Sequence, residues 1–188
     1  MNIFYLDRDP KKCAEMHLDK HVVKMIIEYA QLMSTAHRVL DGQEYYELTA
    51  NNRKIKRWRL DDDRESVLMK ASHINHPSGI WTRASDSNYS WLYVMWSFLL
   101  DEYTYRYGKI HACARLRDVL IRLPNNIKDE SFTEPTPAMP EDRKIPGDSL
   151  TSYHQYYIHN KNHFAKWTKR EIPLWYTEGL KNADLHSA

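Results

Sequence analysis

The sequence is short of glycine. Five glycines in 188 residues leave few places for tight β-turns, while 13 tyrosines, 6 tryptophans and 7 methionines supply large side chains for packing between helices. Cysteine is nearly absent: Cys13 and Cys113 stand far apart with no CxxC spacing, which excludes a disulfide framework and a zinc ribbon and suits a reducing compartment. No apolar run approaches the roughly 18 residues that a membrane span requires, and MNIFYLDRDP has no basic region ahead of an apolar one. A soluble, cytoplasmic chain with no membrane partner is expected. Gly-rich phosphate loops, the GxSxG elbow and the GxGxxG fingerprint are all missing, and no cofactor is expected.

Charge of one sign is not in large excess either. A net charge of +2 and a pI near 8.4 fall short of the value of about 9 that dedicated nucleic-acid binders often exceed, so the placement of charge has to carry any such reading. The length fits one domain, 1–188, with no internal repeat.

What is present is helical periodicity. After an extended start, NIFYL, the DRDP turn leads into a segment from Lys11 to about Leu40 without proline or glycine. Its apolar residues Leu18, Val22, Met25, Tyr29, Leu32 and Ala36 follow the steps of a buried helical stripe, and Asp41-Gly42 ends it. Residues 43–75, with the basic run NNRKIKRWRL, read as an irregular excursion. His76-Pro77 opens a short helix or turn through Arg83. DSNYSWLYVMWSFLLDEYTYRYG is apolar on almost every side, as a central helix would be, with Gly108 as C-cap. Lys109 to Leu123 reads as a third helix, and five prolines from Pro124 to Pro146 mark a long loop. A fourth helix from Ser149 carries residues as far as Trp167, Pro173 starts a closing helix ending near Leu180, and NADLHSA is expected to fray. The expected fold is mainly α: a single-domain orthogonal helical bundle with a short extended N-terminus and one long proline-containing loop.

MHLDKHVVKM raises the functional question, because it sets two histidines and two lysines among apolar residues. On one continuous helix His17, His21, Lys24 and Glu28 share a stripe, with Lys20 at its edge. Lysine there can grip phosphate, histidine can move protons and Glu28 can activate a reacting group. The alternatives are a solvated helix edge or a metal site, although HLDKH lacks the glutamate of HExxH. HPSGIWTRASDSNY brings His76, Trp81, Arg83, Asn88 and Tyr89 together, a set suited to a base and a phosphate or else to core packing. Glu102 and Arg106 lie one turn apart, as a catalytic carboxylate with its arginine or as a structural ion pair. Lys109 and His111 follow them. Lys166 and Trp167 lie in HNKNHFAKWTKR, whose mixture of basic and aromatic residues suits a phosphate backbone.

MNIFYLDRDPKKCAEMHLDKHVVKM, NHPSGIWTRASDSNYSWL, EYTYRYGKIHA and FAKWTKREIPLWY together resemble a family of uncharacterised proteins of tailed phages and some bacteria. In layout more than in letters, the chain also resembles the small helical pyrimidine-dimer DNA glycosylases of phages. That second resemblance implies an N-terminal amine as nucleophile and a glutamate on the first helix about two turns after a histidine. Here the equivalent position is Lys24, Glu28 follows one turn later, and the bulky Asn2 disfavours removal of Met1.

The expected function is a phage-type enzyme acting on a DNA base or nucleotide, N-glycosylase-like, in the host cytoplasm if phage-encoded. Its catalytic candidates are His17, His21, Glu28 and Glu102. Lys20, Lys24, His76, Trp81, Arg83, Asn88, Tyr89, Arg106, Lys109, His111, Lys166 and Trp167 are the substrate-binding candidates. A non-catalytic nucleotide- or host-protein-binding accessory protein and a His-ligated metal hydrolase are the alternatives. The oligomeric state is open.

Overall fold

The computed structural model describes residues 1–186. Helices α1 (Pro10–Met16) and α2 (Asp19–Asp41) lead into a hairpin of β1 (Gln43–Leu48) and β2 (Lys54–Arg59). Helices α3 (Arg64–Val67), α4 (Pro77–Ala84), α5 (Asp86–Tyr107), α6 (Arg117–Leu120), α7 (Ser149–Asn160) and α8 (Leu174–His186) come after it. The fold is mainly α, and α5 is its centre. Both α1 and α2 pack on α5, and α4 fills the angle between α2 and α5. Leu92, Met95, Trp96, Leu99 and Leu100 of α5 are buried, and the Trp96 indole N–H donates to the Ile26 carbonyl of α2 at 2.9 Å. Ser85 caps the start of α5 and Gly108, in the left-handed region at φ 66°, ends it.

The first long helix is two helices. His17 and Leu18 are extended, with ψ of 129° and 158°. The cause is local competition for hydrogen bonds. The His17 ring, rather than the next turn, takes the Cys13 carbonyl at 2.7 Å. The Asp19 N–H donates to the Lys166 carbonyl, and the Asp19 carboxylate accepts from the backbone and hydroxyl of Thr168 and from Arg106. These long-range partners interrupt a segment whose periodicity reads straight through.

The excursion at 43–75 contains an antiparallel hairpin in which Gln43 faces Arg59 and Leu48 faces Lys54. Asn52, at φ 57°, makes its turn, where the Thr49 hydroxyl accepts the Arg53 N–H. Buried Arg38 anchors the end of β2 and the chain as far as Met69 by donating to the carbonyls of Trp58, Glu65, Leu68 and Met69.

The expected third helix is shorter than its sequence pattern. His111 caps a 3-10 turn over Ala112–Leu116 before the single turn of α6. α7 stops at Asn160, so Phe164 and Trp167 lie beyond it, and α8 runs on to His186 rather than stopping near Leu180. Of the tail expected to fray, Ser187 and Ala188 lie outside the described residues.

The proline-containing loop is an ordered strap. The Asp41 carboxylate accepts the Asn125 and Asn126 N–H groups, Asp86 N–H donates to Lys128, and the Ser149 hydroxyl donates to Pro135. Phe132 packs among Tyr5, Trp81 and Trp91. No helix among the described residues is long and apolar enough to cross a membrane.

Candidate active site

Ile3, Phe4, Tyr5 and Leu6 are each at most 3% exposed, so the first residues form an extended strip threaded through the core. Side chains satisfy its backbone. The Phe4 N–H donates to the Tyr29 hydroxyl at 3.1 Å, Leu6 N–H reaches the Cys13 sulfur, and the His154 ring donates to the Leu6 carbonyl at 2.8 Å. Tyr153 O–H also donates to the Asn2 side-chain oxygen. Burial holds the Cys13 thiol up at about 12, so this thiol stays protonated and inert.

This strip delivers the Met1 nitrogen to helix α2. The Met1 ammonium lies 3.9 Å from a Glu28 carboxylate oxygen, and the Lys24 ammonium approaches the other oxygen at 3.5 Å. The Met1 side chain is 6% exposed, Glu28 19% and Lys24 69%, so Met1 approaches the carboxylate from the inner side and Lys24 from solvent. The Ser78 hydroxyl donates to the Met1 carbonyl at 3.4 Å. His76 caps α4 by accepting the Ser78 N–H on Nδ1, which places the proton of the neutral ring on Nε2. Burial lowers the His76 pKa, the Met1 ammonium and His73 push the same way, and Glu28 opposes them. Two amines therefore share one carboxylate, and the His76 ring lies within reach of the charges of the Met1 ammonium and Glu28.

Beside them lies an aromatic and basic surface. His21 stacks on Phe4 at 4.0 Å and its Nδ1 shares a 2.7 Å hydrogen bond with the Tyr157 hydroxyl. Lys20 lies over the Phe164 ring at 4.8 Å, and Lys161 over Tyr156 at 4.7 Å. Burial, with nearby positive groups adding to it, lowers the His21 pKa to about 2, so this ring is neutral.

The remaining predicted residues go elsewhere. His17 is outside α2 and fully buried. Its Nδ1–H donates to the Cys13 carbonyl, so its Nε2 accepts the Tyr29 O–H at 2.7 Å, and burial lowers its pKa to about 4. It orients the tyrosine that holds the N-terminal strip. Trp81 and Asn88 tie down the long loop through Thr133, Tyr89 donates to the Leu120 carbonyl deep in the core, and Arg83 donates to Ile74. Glu102 does not face Glu28. It is 4% exposed and accepts from Arg106 at 2.8 Å and, through both oxygens, from Arg170. Arg106 also binds Asp19 and the Glu15 carbonyl. These charge-assisted bonds outweigh burial and keep the Glu102 pKa below its ordinary value. The Trp167 indole donates to Met16, Lys166 and Lys109 are exposed, and His111 is occupied by its capping bond.

His17 and His21 point to different tyrosines, and among the described residues no three His, Cys, Asp or Glu side chains are grouped to hold a metal. A cleft of about 630 Å³ lined by Lys12, Glu15, Met16, Arg170 and Pro173 contains none of the catalytic candidates. Sequence pattern does not single out Tyr156. Phe164 and Lys161 lie in the basic and aromatic stretch HNKNHFAKWTKR without being chosen as site residues, and Met1 enters only through the N-terminal amine that the glycosylase resemblance implies; the apolar run NIFYL after it is the signal that could have marked it. No family model, curated protein or solved structure matches the chain.

Proposed function

We propose that the protein is a DNA base-processing enzyme of the N-glycosylase type, in which an amine held at Glu28 is the nucleophile. The observation that carries this reading is the 3.9 Å approach of the Met1 ammonium to Glu28, at the end of a strip whose burial fixes its position. Glu28 takes a proton from the ammonium. The freed nitrogen lone pair attacks C1′ of a nucleotide, the C1′–base bond breaks, and its electron pair leaves with the base, which is protonated in turn. The attached nitrogen loses a proton, its lone pair forms the C1′=N bond as the C1′–O4′ bond breaks, and O4′ takes the electron pair and a proton, which leaves a protonated imine between C1′ and the amine. Loss of a C2′ proton then expels the 3′ phosphate.

Lys20, Lys24 and Lys161 supply positive charge for flanking phosphates, and the Tyr156 and Phe164 rings offer faces on which a base can stack. In this reading His76, whose Nδ1 is taken by the Ser78 N–H, uses its Nε2–H to give a hydrogen bond to the leaving base or the sugar oxygen.

Glu28→Gln is the direct test. Base release from ultraviolet-damaged or otherwise modified duplex DNA should fall by at least about 100-fold, in the range expected for loss of a general base. The circular dichroism spectrum and thermal midpoint should stay nearly unchanged. Retained turnover would remove Glu28 from the mechanism. If the wild-type protein binds a nucleotide stoichiometrically and forms no product, the catalytic reading fails in favour of a binding protein.

A further inference from the structure

The hairpin over residues 43–59 is the strongest charge feature outside the candidate site. It carries Arg53, Lys54, Lys56, Arg57 and Arg59 against Glu44 and Glu47, five positive groups against two negative, or +3. The whole chain is +2, so the rest of the molecule is −1. From Glu44 to Leu48 and from Lys54 to Arg57 the hairpin alternates as a strand pair should: Tyr45, Glu47, Ile55 and Arg57 are half-buried, while Glu44, Tyr46, Leu48, Lys54 and Lys56 are exposed on the other face. At its base Trp58 is buried and Gln43 and Arg59 are exposed.

The cations do not all serve the fold. Arg57 binds Glu47 and the Ala71 carbonyl, whereas Lys56 meets Glu44 at 3.1 Å in an exposed pair that leaves its ammonium open to solvent. Lys54 and Arg59 instead lie over the rings of Tyr46 and Tyr45, at 4.1 and 4.6 Å. Arg53 is exposed at the turn, and no carboxylate among the described residues pairs with it. Like charges crowded on one strand repel in the free protein, and a polyanion relieves that repulsion. The base of the hairpin is rigidly held, because Arg38 binds the Trp58 carbonyl and Arg57 the Ala71 carbonyl. The same chain segment continues from Ala71 to His76 in the candidate site.

We infer that this hairpin is a docking element for duplex DNA, with Arg53, Lys54 and Lys56 following a phosphate backbone while the half-buried face stays on the protein. A two-stranded ribbon has the width that a DNA groove admits. The choice of DNA as the polyanion rests on the base-processing reading above. The charge placement itself does not.

The test is the binding of an undamaged fluorescent duplex, followed by anisotropy over a range of salt concentrations. The triple variant R53Q/K54Q/K56Q is compared with the wild type and with K11Q/K12Q/K181Q, which removes the same charge from exposed positions elsewhere. The hairpin variant should bind at least about tenfold more weakly near physiological salt. The slope of log affinity against log salt should be shallower by up to about 2.7, the value for three lost phosphate contacts. The control should stay close to wild type. Equal weakening in both variants, unchanged affinity in the hairpin variant, or a wild type that does not bind duplex would each overturn the inference. Self-association of the hairpin variant with unchanged DNA affinity would also overturn it, and would mean that the charges only keep the strand edges unpaired. Borohydride trapping on a duplex with an abasic site, at saturating protein, separates the two proposals. Hairpin-dependent binding without an adduct leaves docking standing and the nucleophile reading fallen; an adduct with hairpin-independent binding gives the reverse.

Discussion

Glu28 and Glu102 have the same side chain and opposite surroundings. Glu28 has two amines at 3.5 and 3.9 Å and remains partly open to solvent, whereas Glu102 is enclosed by Arg106 and Arg170. Glu102→Gln should therefore destabilise the fold by about 1–3 kcal/mol, as measured by urea unfolding, because it weakens the charge-assisted bonds to Arg106 and Arg170 while Arg106 keeps Asp19. Activity per folded molecule should be unaffected, the reverse of the outcome for Glu28→Gln. A stable but inactive Glu102→Gln protein would return this residue to the catalytic set.

His17 gives a pH signature at the same scale. Its folded pKa of about 4 lies below the ordinary histidine value of 6.5, so between these the unfolded chain binds more protons than the folded one. The stability tied to its neutral ring is complete above about pH 6.5 and is lost as pH falls towards 4. His37, also lowered to about 4, and His21, lowered further, act in the same direction. The unfolding free energy should fall on acidification through this window. His17→Gln should reduce the slope by up to about 1.4 kcal/mol per pH unit, the contribution of one proton. An unchanged slope would contradict the burial of this ring.

At the scale of elements, the break in the first helix and the hidden hairpin each have a cause that periodicity does not carry. Periodicity reports which face of a segment is buried, and it carries α5, α4 and the body of α2. It cannot report that the Cys13 carbonyl prefers the His17 ring, or that Asp19 bonds to Thr168 nearly the whole chain away. The stripe from His17 to Glu28 is legible only from His21 onward for that reason. The hairpin is hidden in the letters because its strands are mostly polar and carry a basic run, so the alternating burial of its positions is not matched by an apolar/polar alternation of residue types. Its attachment to α2 depends on Gly42, where an added Cβ would lie 2.5 Å from the Arg38 carbonyl and 3.2 Å from Trp58 Cβ. Gly42→Ala should cost about 1–3 kcal/mol as an overpacking change. Hydrogen exchange should show the amides of 43–59 opening first. Uniform loosening of the whole protein would argue against a hairpin seated at this contact.

At the scale of the molecule, the mainly α class and the central place of α5 follow from glycine scarcity and from one helix apolar on most sides. The site is only half legible. Residue type marks Glu28, Lys24 and His76, but a terminal amine has no side-chain letter, and its position depends on a buried strip held by Tyr29, Cys13 and His154 and on the Asn2 side chain held by Tyr153. Tertiary structure converts an ordinary first residue into the partner of a carboxylate.

The most direct measurement is reductive trapping. The protein is incubated with duplex DNA bearing ultraviolet damage or an abasic site, borohydride is added, and the cross-linked peptide is located by mass spectrometry alongside the intact mass of the untreated chain. Amine catalysis at Glu28 predicts an intact mass that retains a free Met1 amine and an adduct on the Met1 peptide, lost in Glu28→Gln. An adduct confined to Lys24 would contradict Met1 as the nucleophile, and no adduct on any DNA tested would contradict amine catalysis at Glu28 altogether.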